Sequence, residues 1–168
     1  LSVGLGGHVN VHRAVFDHNR ELAVAAFDPG TTVLLADIAI RDTDALADGT
    51  FGRALYANTG ARLEATRVVL ETNLEVAAAA LSAGTALVLT DAVIRDTEAE
   101  ARSSDFGYGL VVQDGGRVEA SRLLLDRNRG AGILVALAGS TAVLEDVVVR
   151  DTQSLRVDRS GGNGLVVQ

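Results

Sequence analysis

Residues 117–128 read RVEASRLLLDRN, and residues 141–152, 24 positions further on, read TAVLEDVVVRDT. In both, apolar and polar side chains alternate with a period of two, not the 3.6 of a helix. Charges bound the run Arg122-Leu123-Leu124-Leu125-Asp126, so Leu123 and Leu125 face inward and Leu124 faces out. The same parity turns Ala14/Phe16, Ile38/Ile40, Val68/Leu70, Ala92/Ile94 and Val147/Val149 inward. A short strand before each contributes Val9/Val11, Val33/Leu35, Leu63/Ala65, Leu87/Leu89, Val118/Ala120 and Ala142/Leu144. Another contributes Leu1/Val3, Val24/Ala26, Leu55/Ala57, Ala78/Ala80, Leu110/Val112 and Ile133/Val135. Three short strands separated by Gly, Asn or Asp predict one coil of a parallel β-solenoid.

The pattern extends across the whole chain. Arg-Asp-Thr recurs at Arg41-Asp42-Thr43, Arg95-Asp96-Thr97 and Arg150-Asp151-Thr152, spaced 54 and 55 residues apart. Self-similarity at a fixed period is the signature of a repeat architecture. The reading is one β-helix segment over residues 1–168, with repeat units of about 1–54, 55–109 and 110–164. Each unit halves into two coils of about 22–24 residues, giving about six coils. An extra loop follows every second coil, at residues 44–52, 98–108 and 153–163. A helical repeat would need longer apolar stripes. The calcium nonapeptide repeat also fails, because Val166 stands where its Asp is required.

Stacked coils make vertical neighbours of residues one coil apart, roughly 4.8 Å from each other. One such column reads Arg13, Asp37, Arg67, Asp91, Arg122, Asp146, and a second reads Asp17, Arg41, Glu71, Arg95, Asp126, Arg150. Both alternate in sign at each step, which favours a single register because like charges side by side repel. A third column, Asn19, Thr43, Asn73, Thr97, Asn128, Thr152, falls at the turn after the last strand. Its side chains are expected to cap turn backbone or to bond to one another. Gly6, Gly30, Gly60, Gly84, Gly115 and Gly139 form a further column, expected where a turn needs φ > 0.

Half-units such as GILVALAGSTAVLEDVVVRDT and GLVVQDGGRVEASRLLLDRN resemble those of the right-handed parallel β-helix repeat proteins of the pectin-lyase-like superfamily. The resemblance covers the whole chain and implies a right-handed, all-β solenoid. That family includes polysaccharide lyases, glycoside hydrolases, phage tailspikes, epimerases and many large bacterial surface proteins, so fold alone does not carry over an activity. It implies a bacterial, extracellular or cell-surface setting.

Composition narrows the function classes. The net charge is −7, which argues against a nucleic-acid binder. All 15 basic residues are Arg, so a phosphate loop with its Gly-Lys-Ser/Thr cannot form. There is no Cys for disulfides or thiolate metal sites. No apolar run approaches the roughly 20 residues of a membrane-spanning helix.

Enzymes that cleave acidic polysaccharides on this kind of fold cluster carboxylates, often with calcium and an Arg base, on one outer face. Here Asp37, Asp91 and Asp146, like Asp42, Asp96 and Asp151, recur in every unit, whereas a catalytic constellation is expected to break the repeat at one place. Asp91 and Asp146 would meet the roughly 6.5–9.5 Å spacing of an inverting pair, but Arg122 stands between them. His8 and His12, four apart on a strand, lie roughly 13 Å apart and cannot share a metal. His18 sits in a turn, and all three are expected to be unpartnered surface histidines. The loop carboxylates Asp44, Asp48, Glu98, Glu100, Asp105 and Asp158 lack calcium-loop spacing. Phe51 and Phe106 close the first two loops and are expected to pin them to the solenoid. No catalytic, cofactor or metal site is assigned.

Two outward columns are apolar: Val15, Ala39, Val69, Val93, Leu124, Val148, and Ser2, Ala25, Tyr56, Ala79, Val111, Leu134, Val166. Such faces are usually covered, so the loops are expected over one and a protein or glycan partner over the other. A solenoid also needs polar caps, and neither terminus has one. Further coils of the same parent chain are therefore expected at both ends. The expected function is a non-catalytic scaffold for adhesion, spacing or display. The alternative is a stretch of a polysaccharide lyase or glycoside hydrolase whose site lies in the loops or elsewhere.

Overall fold

The computed structural model describes residues 1–100, 102 and 106–168. The chain is all-strand and every strand pairing within its two sheets is parallel. Short strands β1 (Ser2–Val3), β3 (Leu22–Ala26), β5 (Arg53–Ala57), β7 (Val76–Leu81), β9 (Tyr108–Gln113), β11 (Ala131–Ala136) and β13 (Asn163–Val167) stack in chain order as a seven-stranded sheet. Long strands β2 (His8–Asp17), β4 (Thr32–Arg41), β6 (Arg62–Glu71), β8 (Ala86–Arg95), β10 (Arg117–Asp126) and β12 (Thr141–Arg150) stack as a six-stranded sheet. Each strand thus pairs with the strand two further along, the path of a solenoid.

Where the sequence predicts three short strands per pass, the structure has two. The second and third expected strands are one ten-residue strand, bent in the middle. The bend residues are Arg13, Asp37, Arg67, Asp91, Arg122 and Asp146, all left-handed at φ between 51° and 59°. Only the bend residue drops out of the register: His12 pairs with Ala36 and Ala14 with Ile38. All six long strands turn at the same level, so the ladder resumes at once on the far side. The inward pairs Val9/Val11 and Ala14/Phe16 are three apart instead of two across this point, which is the trace the bend leaves in the sequence.

The interior is a column of aliphatic side chains. Leu55, Leu63, Leu70, Leu87, Leu89, Ile94, Leu110, Leu123, Leu125 and Ile133 are all buried in one cluster. Burying each contributes about 1.5–3 kcal/mol. The column narrows where the chain leaves the Asn/Thr turn. A Cβ on Gly109 would lie 2.7 Å from Leu125 Cδ2, and one on Gly132 2.4 Å from Val149 Cγ1. The turn glycines Gly6, Gly30, Gly60, Gly84, Gly115 and Gly139 all have φ between 75° and 87°.

The three loops leave and return through the same bonds. Asp44, Glu98 and Gln153 bridge to Arg20, Leu74 and Arg129. On return, Gly52 N–H donates to Glu21 O (3.1 Å), Gly107 N–H to Glu75 O (2.8 Å) and Gly162 N–H to Gly130 O (2.7 Å). These anchors set the loop ends against the outer face of the seven-stranded sheet.

Candidate functional site

The charge columns form discrete pairs instead of continuous ladders. Arg67 bonds Asp37 through Nε (2.5 Å) and Nη2 (2.9 Å), and Arg122 bonds Asp91 with the same two distances. Both pairs cross from one repeat unit to the next. In the second column the pairs lie within a unit: Arg41–Asp17 (3.1 Å), Arg95–Glu71 (2.9 Å through Nε) and Arg150–Asp126 (3.0 Å). The two columns together bridge each long strand to the next, from β2 to β12. The bonded guanidinium is the leading cause that holds Asp17, Asp37, Asp91 and Asp126 below the ordinary carboxylate value. The same bonds raise Arg41, Arg67, Arg122 and Arg150. Carboxylates clamped in this way are ill suited to proton transfer. At the ends, Arg13 and Asp146 form no ion pair among the described residues.

The Asn/Thr column does not stack side chain on side chain. Asn73 Nδ2 donates to Ile40 O (3.3 Å) while its Oδ1 accepts from Thr43 N–H (3.3 Å). Asn128 repeats this with Ile94 O (3.1 Å) and Thr97 N–H (3.2 Å). Both asparagines are buried, and each satisfies one acceptor and one donor of the preceding strand's end. The threonines do less: among the described residues Thr43 and Thr97 Oγ1 are buried without a partner, as is Asn19 Nδ2. Thr152 is half-buried in the same column.

His18, expected to be unpartnered, is not: its Nδ1 lies 2.9 Å from Asp17 Oδ1. Asp17, His18 and Asp42 also place ligand-type atoms within 4.8 Å of one another. Arg41 already engages both Asp17 oxygens, so a cation there would face a guanidinium. The cluster is better explained as the start of the ion-pair system.

Outside the repeating columns, the structure brings together contacts that the sequence reading did not assign. Arg53 stands in a column otherwise occupied by Leu22, Val76, Tyr108, Ala131 and Asn163. It makes two hydrogen bonds to Glu75, one of 2.8 Å from Nε, with side chains only 15% and 6% exposed. The guanidinium lies 4.9 Å from the ring centres of both Phe51 and Tyr56. Arg129, whose counterparts are Arg20 in the first unit and Leu74 in the second, joins Glu98 (2.8 Å), Gln153 Oε1 (2.7 Å) and Ser154 O (2.8 Å) to clasp the loop ends. Neither was legible, because the partners of each become neighbours only through the stacking.

The outward column of the seven-stranded sheet, one of the two apolar faces for which cover is expected, is largely buried at Ala25, Ala79, Val111 and Leu134. Phe106 packs edge-on against Tyr108, with ring centres 5.7 Å apart. Beside them opens a small groove lined by the Arg53–Glu75 pair, Val76, Leu81, Val111 and Leu134. Leu155 of the third loop and Val166 line a neighbouring hollow that shares Tyr108 and Leu134. The loop ends therefore wall a trough that is mainly apolar beside Phe106 and more polar beside Leu155, where Ser160, Asn163 and Gln168 join the lining. Asp105, one of the loop carboxylates, lies outside the described residues.

No family model, curated protein or solved structure matches this chain. Its chemistry is therefore read from its own geometry. In the other outward column Val15 (61%) and Val148 (53%) are exposed at the two ends, and Ala39, Val69, Val93 and Leu124 between them are half-buried. Among the described residues no helix is long and apolar enough to cross a membrane.

Proposed function

We propose that this chain is a non-catalytic scaffold that displays a protein-binding trough on the outer face of its seven-stranded sheet. In this reading it is a right-handed parallel β-helix of six coils, of the pectin-lyase-like kind, in a bacterial surface or exported protein. Right-handed crossovers are the strong preference for parallel strands joined in this way. The observation that carries the functional reading is the trough beside Phe106 and Tyr108. It is bounded by Arg53–Glu75, a buried ion pair that breaks the repeat. Its walls are chiefly aliphatic, which fits an apolar anchor from a protein partner better than a hydroxylated sugar needing many polar contacts. Among the recurring carboxylates, Asp37, Asp91 and Asp96 are held by arginines, which supports structure over acid–base work.

The test has two arms. An apolar dye that fluoresces on burial should bind the chain, and Phe106→Glu should weaken that binding several-fold without changing the circular dichroism. Undiminished dye binding would remove the trough from the proposal. The chain should also leave a panel of acidic and neutral polysaccharides uncut. Turnover abolished by Glu75→Gln would replace the scaffold with a carbohydrate-active enzyme whose site is this trough.

A further inference from the structure

The outer face of the second half of the long strands is self-complementary, and we infer that a second copy of this chain packs against it across a two-fold axis parallel to the strands. On this face an apolar column lies between the two charge columns. Every long strand pairs in register with the next, so the three columns run side by side along the solenoid. In each strand the bend residue and the strand-end residue have opposite signs, as in Arg67 and Glu71 of β6 or Asp91 and Arg95 of β8. Signs also reverse from one strand to the next. The face is therefore a checkerboard of charge with an apolar seam through its centre, half-buried at Ala39, Val69, Val93 and Leu124.

The ion pairs give this face a direction. In the five pairs of the two columns the arginine stands one strand beyond its carboxylate: Arg41 on Asp17, Arg67 on Asp37, Arg95 on Glu71, Arg122 on Asp91 and Arg150 on Asp126. The pair dipoles thus point the same way along the solenoid, and dipoles placed side by side attract when one set is reversed. A two-fold between β6 and β8 makes that reversal and lays each ion pair on an inverted one. Asp37 then meets the second copy's Arg122, and Arg67 meets its Asp91. Glu71–Arg95 meets its own inverted counterpart. Asp126, already held by Arg127 and Arg150 with 6% of its side chain exposed, adds least. Across the seam Val69 meets the second copy's Val93, and Ala39, the smallest residue of the column, meets Leu124, the largest.

A two-fold along the solenoid axis also matches signs, but less well. It sets each ion pair across halves of two others, and it puts Leu124 against Leu124 and Ala39 against Ala39, a clash beside a gap. The reversed arrangement avoids both. Any two-fold midway between adjacent long strands matches signs in the same way, so the complementarity follows from the alternation and holds for any number of coils. The axis between β6 and β8 overlays all six long strands of the 168 residues. Strands about 4.8 Å apart and residues about 3.3 Å apart, with the girth of the side chains, give a face of about 600 Å² per copy, at the lower end of what specific interfaces bury. A dissociation constant on the order of 100 µM is expected.

Sedimentation of the 168-residue chain should show monomers passing to dimers and no further, because an isologous contact closes on itself. Val69→Asp and Val93→Arg each set a charge against a valine, and each should weaken the dimer by about tenfold or more. Mixed in equal amounts they should restore it. The introduced aspartate then meets the introduced arginine, while Val93 of the first variant meets Val69 of the second. Val69→Asp mixed with Val93→Asp should restore nothing. Val69→Thr combined with Val93→Thr keeps the β-branched shape on a half-buried strand face, and it should weaken the dimer several-fold with the fold intact. The inference is overturned by a wild-type chain that stays monomeric at about 1 mM, well above the expected constant. Growth past dimers overturns it too, as does a double threonine variant that dimerises undiminished, or an aspartate–arginine mixture that stays dissociated.

Discussion

Replacing Asn128 with alanine should be among the more costly single substitutions of a polar residue in this chain. Its amide satisfies two main-chain groups of the preceding strand's end, Ile94 O at 3.1 Å and Thr97 N–H at 3.2 Å, in a site 1% exposed. Leaving a buried polar group unpaired costs about 1–3 kcal/mol, hence about 2–6 kcal/mol for two. Water entering the vacated volume recovers part of this, leaving about 2–4 kcal/mol. Asn73→Ala should behave alike, since Asn73 makes the same two bonds. Asn19→Ala is the internal control: its Nδ2 has no partner, so the loss should stay within about 0.5 kcal/mol. Urea unfolding at pH 7 measures all three, and hydrogen exchange at the Thr97 amide reads the Asn128 bond by itself. The reasoning is refuted if Asn19→Ala costs as much as Asn128→Ala, or if Thr97 exchange does not accelerate in Asn128→Ala.

Acid should weaken the fold through the clamped aspartates. Asp17, Asp37, Asp91 and Asp126 are held below the ordinary 3.8, so their contribution is full above that value and is lost as pH falls through the lower native values. The urea midpoint should be level from pH 8 to about 5 and drop below about 4, and Arg67→Gln with Arg122→Gln should shrink the drop; an unchanged drop would exclude these pairs as its source. Thr97→Val removes a buried hydroxyl with no partner and should be neutral or stabilise by about 1 kcal/mol in the same unfolding experiment. Arg53→Ala strands the buried Glu75 carboxylate and should cost about 3 kcal/mol, whereas Arg53→Met with Glu75→Gln should recover most of it. Equal losses in the single and double variants would show that packing, not charge, dominates there.

The ion pairs have a structural reason to alternate between columns. An arginine fork can grip one carboxylate bidentately, and Arg67 grips Asp37 at the expense of Asp91, although Asp91 is its neighbour on the other side. Each guanidinium thus commits to one neighbour. The bend column commits across units and the strand-end column within them. A uniform ladder would split each arginine between two partners with poorer geometry. This alternation specifies which strand follows which, and a slip by one strand would bring like charges together.

How far the sequence goes depends on distance along the chain. Period-two patterning is local, so Leu123 and Leu125 are identifiable as interior from five consecutive residues. Repetition converts that local signal into neighbours: Arg117 with Thr141 and Asp126 with Arg150 are adjacent in the register because the same strand recurs 24 positions later. The bend at Arg13 and its equivalents left a one-residue phase shift but not its continuity, because whether a ladder resumes after a left-handed residue depends on the strands beside it. The Arg53–Glu75 pair and the Arg129 clasp left no local signal, whereas cover over one outward face was expected from its apolar column. The pair and the clasp join residues of different coils, which only the stacked backbone brings side by side. Backbone geometry that repeats can be read from one copy, whereas side-chain contacts made by what does not repeat are decided in three dimensions.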